Sequence, residues 1–406
     1  MKNILIKNGY IYQDNNVIKK DILISNERII QIKDNIKINN NDDIIDATNK
    51  IIIPGFINNH LHFGEYYVKG YNEKLTTEEY IKYTENFNSK NIDLKEKIRV
   101  SSTIFSAYES LESGSTTLVG IRGWKAIDDF SLRLFMGYPL MNSEKLKEYL
   151  DNPFNKFEQF QNNSLQTYYI FLHSIQMVNE KILSDLANYL KNKNIKLAIH
   201  LSETLKENEY SLNKYHMTPI EILEKFKLLN ENTLLVHCCY LSNKDIKIIK
   251  KKNCTICICP NSNLKLNNKL PDIKKLLDMN INICIGTDGS ATNDSLNLIN
   301  CLKTLALLSN IKVETLFEMI TTNAAKYLKV NIGKININYK ADLLLYDLNN
   351  YRIVRKEVFL NNLIYSDNIK PIYVIINGKV IIKNYKNIIV DKKQLEKNKL
   401  NNIINF

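Results

Sequence analysis

Apolar and polar positions alternate with a period of two through the first 50 residues, in short runs that Asn and Asp turns separate. Examples are the runs Ile4–Ile6, Tyr10–Tyr12 and Arg28–Ile32. This period is typical of half-buried β-strands. The C-terminal stretch repeats the pattern, and Asn377-Gly378 between two apolar runs is a strong hairpin signal. The two ends of the chain are therefore predicted to form small antiparallel β structure.

Between these ends, short apolar runs alternate with longer segments of helical periodicity. Strands are predicted near Ile51–Pro54 leading to His60, and at Thr116–Val119, Arg133–Tyr138, Tyr168–His173, Lys196–His200, Thr233–His237, Cys254–Cys259 and Asn282–Asp288. Helical segments separate them, for example Asn179–Lys191, Pro219–Phe226, Asn243–Lys251 and Leu296–Ser309. Eight β/α units of this kind predict an α/β fold, a parallel TIM (β/α)8 barrel. In that fold the active site lies at the C-terminal ends of the strands.

Residues of the kind that bind metals end four of the predicted barrel strands. His60 and His62 form an H-x-H pair at the end of the first strand, and His200, His237 and Asp288 end the fifth, sixth and eighth. Residues i and i+2 of a strand share one face, so His60 and His62 can bind one ion together. A lone histidine there is usually a hydrogen-bonded structural residue, but the joint pattern favours a metal site. Imidazole and carboxylate ligands without thiolate indicate Zn²⁺ or a similar divalent ion.

Composition narrows the class of protein further. The chain has 406 residues, 44% of them hydrophobic, which is enough for a large core and more than one structural domain. The net charge of +12 is spread along the chain, and the run Lys250–Lys252 lacks interleaved aromatic residues, so it indicates a solvated helix end rather than a nucleic-acid site. No apolar run reaches about 18 residues, and the N-terminus lacks a signal-peptide core, so no membrane span is expected.

Seven cysteines occur inside strand-like apolar runs. An odd number in such positions predicts a reducing compartment, and hence a cytoplasmic protein. Cys254-x-x-Cys257 has the spacing of half a zinc site, but no second pair follows it at a suitable distance. The alternation of Cys257 and Cys259 fits a buried strand better, so these thiols are interpreted as packing residues.

Motifs along most of the chain resemble those of the amidohydrolase superfamily. They are Pro54–His62, Gly114–Thr117, His200–Thr204, Val236–Cys238, Cys259–Leu266, Gly286–Gly289 and Gly333–Leu343. The motifs are most similar to a group of cyclic deaminases and chlorohydrolases that includes S-adenosylhomocysteine, methylthioadenosine and guanine deaminases and triazine hydrolases. The resemblance implies a small β-sandwich domain built from residues 1–50 and 332–406, and a barrel from residues 51–331.

The same resemblance implies one metal ion per chain. Dihydroorotase-like and hydantoinase-like relatives bridge two metals with a carboxylated lysine, usually after strand 4, and the corresponding stretch Tyr168–Gln176 contains no lysine. By resemblance, the metal ligands are His60, His62, His200 and Asp288. The expected ion is Zn²⁺, with Fe²⁺ or Mn²⁺ as alternatives, and it would make hydroxide available at neutral pH by lowering the pKa of its bound water.

The resemblance also implies roles in proton transfer. Asp288 would accept the proton of the attacking water, and Glu203 would protonate a ring nitrogen of the substrate. His237 would orient the nucleophile and stabilise the tetrahedral intermediate. Water would then attack an sp² ring carbon that bears an amino group or a halide.

Residues that contact the substrate are less strongly indicated. His173 at the end of strand 4 matches a histidine that binds substrate in nucleoside deaminases, although a hydrogen-bonded core histidine fits the pattern as well. Glu65, Arg122 and Trp124 lie in the first two β/α loops, where a solvated position is an equal alternative for Glu65 and Arg122. S-adenosylhomocysteine deaminases carry arginines at and after strand 3. The stretch Arg133–Tyr138 does not match both, so the resemblance does not extend to the readout of an amino-acid carboxylate.

The sequence therefore predicts a metal-dependent aminohydrolase that releases ammonia from an aminated N-heterocycle, such as a purine, a pterin or a related base or nucleoside. Hydrolytic dechlorination and amide hydrolysis on the same scaffold are the alternatives, and a non-catalytic binding protein is a third. The expected partner is a small-molecule substrate, with no nucleic acid and no membrane, and a homo-oligomer is compatible with the sequence.

Overall fold

A computed structural model describes residues 3–37, 39–40, 42–71, 73–90, 95–121, 130–141, 165–391 and 395. The strands are β1 Ile4–Lys7, β2 Tyr10–Gln13, β3 Asn16–Lys19, β4 Asp21–Ser25, β5 Arg28–Lys33, β6 Asp43–Asp46, β7 Lys50–Pro54, β8 Phe56–His62, β9 Ser115–Ile121, β10 Arg133–Leu140, β11 Gln166–Leu172, β12 Leu197–Leu201, β13 Thr233–His237, β14 Thr255–Ile258, β15 Asn282–Ile285, β16 Leu343–Asp347, β17 Tyr373–Ile376, β18 Lys379–Lys383 and β19 Lys386–Asn387. The α-helices are α1 Thr77–Lys90, α2 Lys95–Glu112, α3 Glu180–Leu190, α4 Leu205–Tyr215, α5 Pro219–Lys225, α6 Asn243–Lys251, α7 Pro260–Lys265, α8 Ile273–Asp278, α9 Ser290–Asn293, α10 Leu298–Leu308, α11 Val313–Met319, α12 Thr322–Leu328 and α13 Phe359–Tyr365. Short 3₁₀ turns occupy Phe63–Val68, Ile175–Met177 and Lys356–Val358.

Strands β8 to β15 form the predicted parallel barrel, in chain order around the sheet. Every neighbouring pair in this order is parallel, so all the strands end at the same rim. Between β15 and β8 the backbone N–H of Asp288 donates to the carbonyl oxygen of His60 at 3.0 Å. The side chain of Asn58 also joins these two ends, because its Oδ1 accepts from the backbone N–H of Thr287 at 3.1 Å. The fold class predicted from the sequence is confirmed.

The predicted first barrel strand needs a correction. Residues Lys50–Pro54 form β7, which pairs with β2 and β16 in a different sheet. The first barrel strand is β8, Phe56–His62, and only Gly55 separates the two. Apolar residues lie on both sides of Pro54-Gly55 from Ile51 to Ile57, so periodicity alone does not reveal that the chain changes sheets there.

The chain ends form two further sheets. A four-stranded sheet has the order β5-β4-β1-β6, and a seven-stranded sheet has the order β19-β18-β17-β16-β7-β2-β3. One aliphatic cluster joins them, with Ile6 and Ile22 from the first sheet and Leu343 and Ile375 from the second. Burying two sheet faces against each other in this way gives a β-sandwich. The predicted hairpin turn joins β17 to β18 at residues 377–378, both of which have positive φ, as a tight hairpin of this kind requires.

A buried ion pair connects the barrel to the seven-stranded sheet. Arg133, the first residue of β10, donates through Nε and Nη2 to the two carboxylate oxygens of Asp342 at 3.1 and 3.2 Å. Its Nη2 also donates to Oδ1 of Asn377 at 3.1 Å. Arg133 begins its strand, so it lies at the end of the barrel opposite to the rim where β8, β12 and β15 end.

The cysteines noted in the sequence lie in the protein interior, and the lysine run lies at the end of a helix. All seven cysteines are buried and form no disulfide. Lys250 and Lys251 are exposed in the last turn of α6, as expected for a solvated helix end. Among the described helices, none has the length and apolar character needed to cross a membrane.

Candidate metal centre

Four side chains that can bind a metal converge at the rim of the barrel. His60 and His62 end β8, His200 lies one residue before the end of β12, and Asp288 follows β15. One ligand atom from each of these residues lies within 4.8 Å of the corresponding atoms of the other three. The ends of the predicted strands supplied these residues together with His237, the family resemblance implied this set of four, and the structure brings all four together.

The distances within this cluster fit one shared ion. The Nε2 atom of His60 lies 3.1 Å from Nε2 of both His62 and His200, which are 3.3 Å from each other. Oδ1 of Asp288 lies 3.3 Å from the His60 nitrogen and 3.2 Å from the His62 nitrogen. Ligands bound about 2.0–2.1 Å from a tetrahedral Zn²⁺ lie roughly 3.3 Å apart, so the observed separations match a shared ion.

The charge states of the cluster also suit a cation. Burial lowers the pKa of His60 to about 4 and holds the pKa of His200 well below its usual value. Both rings are therefore neutral at pH 7, the form in which imidazole binds a metal. Burial alone would raise the pKa of Asp288, but the neighbouring His62 and His60 outweigh it and hold the pKa well below its usual range. The cluster thus presents the neutral rings of His60 and His200 and the carboxylate of Asp288 to a cation.

The two oxygens of Asp288 have different surroundings. Oδ2 accepts hydrogen bonds from the hydroxyls of Ser262 at 2.5 Å and Thr292 at 2.9 Å. Oδ1 is buried and faces the histidine nitrogens, and no hydroxyl or amide of the described residues donates to it. A buried carboxylate oxygen of this kind is unfavourable unless a cation or a donor compensates it, so Oδ1 is available as a ligand.

The backbone turns sharply where the barrel strands end. Asp288 has a φ of 61°, His237 a φ of 73° and Ser202 a φ of 47°. For residues other than glycine this left-handed region costs about 1 kcal/mol or more, and it persists only where the surrounding structure fixes it. At Asp288 and His237 the turns direct the side chains to the cluster and to Glu203, instead of letting them continue the alternation of the strand.

Glu65 lies behind His62 relative to the cluster. Its Oε1 is 2.6 Å from Nδ1 of His62, on the ring edge away from Nε2. Carboxylate–histidine pairs of this geometry orient a metal-binding ring and fix its tautomer. The position of Glu65 in the first β/α loop predicted a substrate contact, whereas in the structure Glu65 lies against a ring of the cluster.

Glu203 and His237 lie next to the cluster at the same rim. Oε2 of Glu203 is 3.7 Å from Nε2 of His237, and Nδ1 of His237 is 2.7 Å from Oδ1 of Asn263. Burial raises the pKa of Glu203, partly offset by the nearby His237. The hydroxyl of Thr77 donates to the other Glu203 oxygen, Oε1, at 3.2 Å. A carboxyl that holds its proton more tightly than usual is suited to act as an acid near neutral pH.

Other candidate residues differ in where they lie. His173 follows β11 and its ring centroid is 5.2 Å from that of His200, so it reaches the same rim. Arg122 and Trp124 fall outside the described residues. Ser262 and Asn263 belong to a motif that the sequence analysis quoted without giving its residues a role. Thr77 was not noticed, because nothing in the sequence relates the start of a helix to a residue far along the chain.

Neutral imidazoles and a carboxylate at the carboxyl end of a parallel barrel, beside a carboxyl with a raised pKa, define a metal-dependent hydrolase. The model of the amidohydrolase family matches residues 51–381. The chain belongs to the amidohydrolase family, as the motifs in its sequence predicted.

Two curated relatives match almost the whole chain. The 5'-deoxyadenosine deaminase of Methanocaldococcus jannaschii is 32% identical and is matched over 97% of each chain. The 5-methylthioadenosine/S-adenosylhomocysteine deaminase of Pyrococcus furiosus is 30% identical, with 96% of this chain and 98% of that protein covered. Among solved structures, an adenosine deaminase from Xanthomonas campestris with bound zinc has a TM-score of 0.91 at 20% identity, with 100% of this chain and 98% of that chain covered. The structural likeness establishes the fold.

Proposed function

We propose that this amidohydrolase is a zinc-dependent deaminase of an adenosine-type nucleoside that carries an uncharged 5′ substituent. The observation that carries the proposal is Glu203, a carboxyl with a raised pKa at the edge of a three-histidine, one-aspartate cluster. The named activities of the two curated relatives support the nucleoside class, because both act on adenosine derivatives and match nearly the full chain.

The residues of the site can perform the proton transfers that deamination needs. Bound to His60, His62, His200 and Asp288, a zinc ion would supply Lewis acidity that lowers the pKa of water. Asp288 takes the proton from the attacking water, and Glu203 gives its proton to the ring nitrogen next to the attacked carbon. The C–N bond to the amino group then breaks, and ammonia leaves with the proton that Asp288 accepted. The hydroxyl proton of the intermediate passes to Glu203, which restores its acid form, and the ring keeps a carbonyl. His237 lies beside Glu203, where it can hydrogen-bond the attacking oxygen.

This arrangement favours an aminated ring over a linear amide. In a heterocyclic amidine, protonation of the ring nitrogen makes the neighbouring carbon more electrophilic. In a linear amide, the leaving nitrogen itself must be protonated. An acid placed to protonate a separate ring nitrogen does not help that nitrogen to leave. Glu203 therefore matches cyclic C–NH₂ substrates better than open-chain amides.

Arg133 supports the choice of an uncharged 5′ substituent. It is the arginine of the strand where the resemblance implied a carboxylate contact, and it pairs with Asp342 at the opposite end of the barrel. The described rim residues therefore offer no arginine from β10 to an amino-acid carboxylate. We expect 5′-deoxyadenosine or 5′-methylthioadenosine to be preferred over S-adenosylhomocysteine.

An ammonia-release assay tests the proposal. Zinc-loaded protein is incubated with 5′-deoxyadenosine, 5′-methylthioadenosine, S-adenosylhomocysteine, guanine and a chlorinated triazine, and both ammonia and chloride are measured. We expect one ammonia per 5′-modified adenosine, with the hypoxanthine-type product. Chloride release without ammonia from any aminated compound would replace the proposal by dechlorination, and no turnover of either class would favour a binding protein.

We also propose the broader setting of the enzyme. Seven buried thiols without disulfides support a cytoplasmic location. The division into a sandwich from residues 1–50 and 332–406 and a barrel from residues 51–331 serves as the working domain description, except that residues 51–54 of β7 pair into the seven-stranded sheet of the sandwich. That no nucleic acid is bound and that the chain could form a homo-oligomer stay predictions.

A further inference from the structure

Helix α1 begins at a defined position against the candidate site. Thr76 and Glu79 form reciprocal bonds, since the Glu79 carboxylate accepts from the backbone N–H of Thr76 and the Thr76 hydroxyl accepts from that of Glu79. This capping box fixes the first turn of the helix. Thr77, the first helical residue, is buried, and its hydroxyl reaches the Glu203 carboxylate across the barrel mouth.

The hydrogen bonds around Thr77 have a defined direction. The side-chain amide of Asn268 donates from Nδ2 to Oγ1 of Thr77 at 2.9 Å. An amide nitrogen only donates, so the threonine oxygen accepts this bond and its single proton is directed to Oε1 of Glu203. The relay therefore supplies a donor to one carboxylate oxygen and leaves Oε2 facing Nε2 of His237 at 3.7 Å.

Further contacts hold the helix in this place. Glu78 pairs with Lys206 at 3.5 Å, only three residues after Glu203. On its apolar side, Tyr80 packs in one cluster with Leu266 and Ala291, which lie after β14 and β15. The first turn of α1 is thus in contact with segments that follow three different barrel strands, and Thr77 lies where those segments meet Glu203.

We propose that Thr77 and Asn268 are positioning residues that set which oxygen of Glu203 transfers the proton. Because Thr77 donates to Oε1, the transferable proton is carried on Oε2, the oxygen that faces His237 and the cluster. This inference rests on the proposed function, in which Glu203 is the acid. It adds to that function two residues that touch neither the metal cluster nor the reacting atoms.

The test compares Thr77→Val, which keeps the shape and removes the hydroxyl, with Thr77→Ser, which restores it. Misplacement of a catalytic group by about 1 Å can cost about 100-fold, so we expect Thr77→Val to lower kcat by about 10- to 100-fold with KM nearly unchanged. Thr77→Ser should recover most of the rate. Asn268→Leu should lower kcat in the same direction, and its effect should not add to that of Thr77→Val, because Asn268 acts through Thr77.

Lys206→Ala is the matched control, because it removes the exposed ion pair between the same two segments and leaves the Thr77 hydroxyl in place. Its kcat should equal that of the parent, and melting temperature and zinc content should be unchanged in every variant. Full activity of Thr77→Val, a change confined to KM, or equal loss in Thr77→Ser would overturn the inference. Should Thr77→Val fail to fold, Asn268→Leu decides the question, and full activity in that variant overturns the relay.

Glu203→Gln, assayed on the same substrate, separates this inference from the proposed function. An inactive Glu203→Gln beside a fully active Thr77→Val leaves the proposed function intact and rejects only the positioning role. A fully active Glu203→Gln, or a parent protein that turns over no aminated nucleoside, rejects both.

Discussion

The Glu65 carboxylate lies 2.6 Å from Nδ1 of His62, while Nε2 of the same ring faces His60 and His200 at 3.1 and 3.3 Å. One edge of the imidazole is therefore held by an anion and the other is presented to the cluster. The space for this carboxylate depends on Gly289, since a Cβ there would clash with the Glu65 carboxylate. The absence of a side chain at the residue after Asp288 thus leaves room for the carboxylate that orients His62, a ligand from the first barrel strand.

Glu65→Gln should weaken metal binding. The amide keeps the size of the side chain but loses the charge that supports His62, and such changes typically cost about 10- to 100-fold in metal affinity. Zinc dissociation constants from chelator competition measure the effect, with Glu73→Gln, an exposed site nearby in the chain, as the control. An unchanged zinc affinity with a raised KM would instead return Glu65 to the substrate-contacting role suggested by the sequence.

His60→Ala and Glu203→Gln should separate metal binding from proton transfer. Elemental analysis should find one divalent ion per parent chain and a loss of that ion in His60→Ala. Glu203→Gln should keep the ion while turnover falls about 100-fold or more, the usual range for loss of a general acid. Two ions per active chain would contradict a mononuclear site, and loss of the ion from Glu203→Gln would contradict the separation of roles.

Glu207 should make stability depend on pH. Burial raises the pKa of Glu207 from 4.5 to about 8, and its Oε2 accepts the backbone N–H of Glu203 at 3.0 Å. A carboxyl whose pKa is raised in the folded state contributes to the free energy of unfolding. This contribution is fully present below pH 4.5 and is lost as the pH rises towards about 8. The glutamine in Glu207→Gln cannot ionise, so the stability of this variant should not fall over this pH range for this reason.

The measurement for Glu207 is the melting temperature of parent and Glu207→Gln at pH 5 and pH 8.5. The melting temperature of the variant minus that of the parent should be larger at pH 8.5 than at pH 5 by at least about 2 °C. Glu209→Gln, an exposed change on the same helix, should show no such gain. If the melting temperatures of the parent and Glu207→Gln changed equally with pH, Glu207 would ionise normally in the folded protein.

Arg133→Met should destabilise the fold and spare the site. The change leaves the Asp342 carboxylate buried without its partner, which typically lowers the free energy of unfolding by about 3–5 kcal/mol. Because Arg133 lies at the far end of the barrel, KM and zinc content should not change. Urea denaturation and steady-state kinetics check this, with the exposed Arg355→Met as the control. A raised KM with normal stability would place Arg133 at the substrate.

The metal cluster could be predicted from the sequence because its four ligands lie at the ends of three apolar runs, with His60 and His62 on the same one. The carboxyl ends of parallel strands meet at one rim, so His60, His200 and Asp288 had to lie near each other once the barrel was recognised. The prediction of Ile51–Pro54 as part of the first barrel strand was wrong because strand propensity identifies a strand but not the strands with which it pairs. The apolar pattern is the same in both sheets.

The residues around the ligands could not be predicted in the same way. The side of His62 on which Glu65 lies depends on the 3₁₀ turn Phe63–Val68, and no periodicity specifies that turn. Thr77 and Asn268 meet Glu203 only because a helix start and a loop after β14 fold over the barrel mouth. These contacts are tertiary, and a single sequence contains no local signal for them.

The bond from Asp288 to the carbonyl of His60 has a consequence for biosynthesis. The ligands come from the first, the fifth and the last barrel strands, so a bound ion acts as a cross-link between parts of the chain made at very different times. A nascent chain that has emerged only as far as His200 lacks the carboxylate and the closing strand, so tight binding must wait for residue 288. The ion is therefore bound tightly only when the barrel is complete. Free zinc in excess then stabilises the closed barrel by mass action.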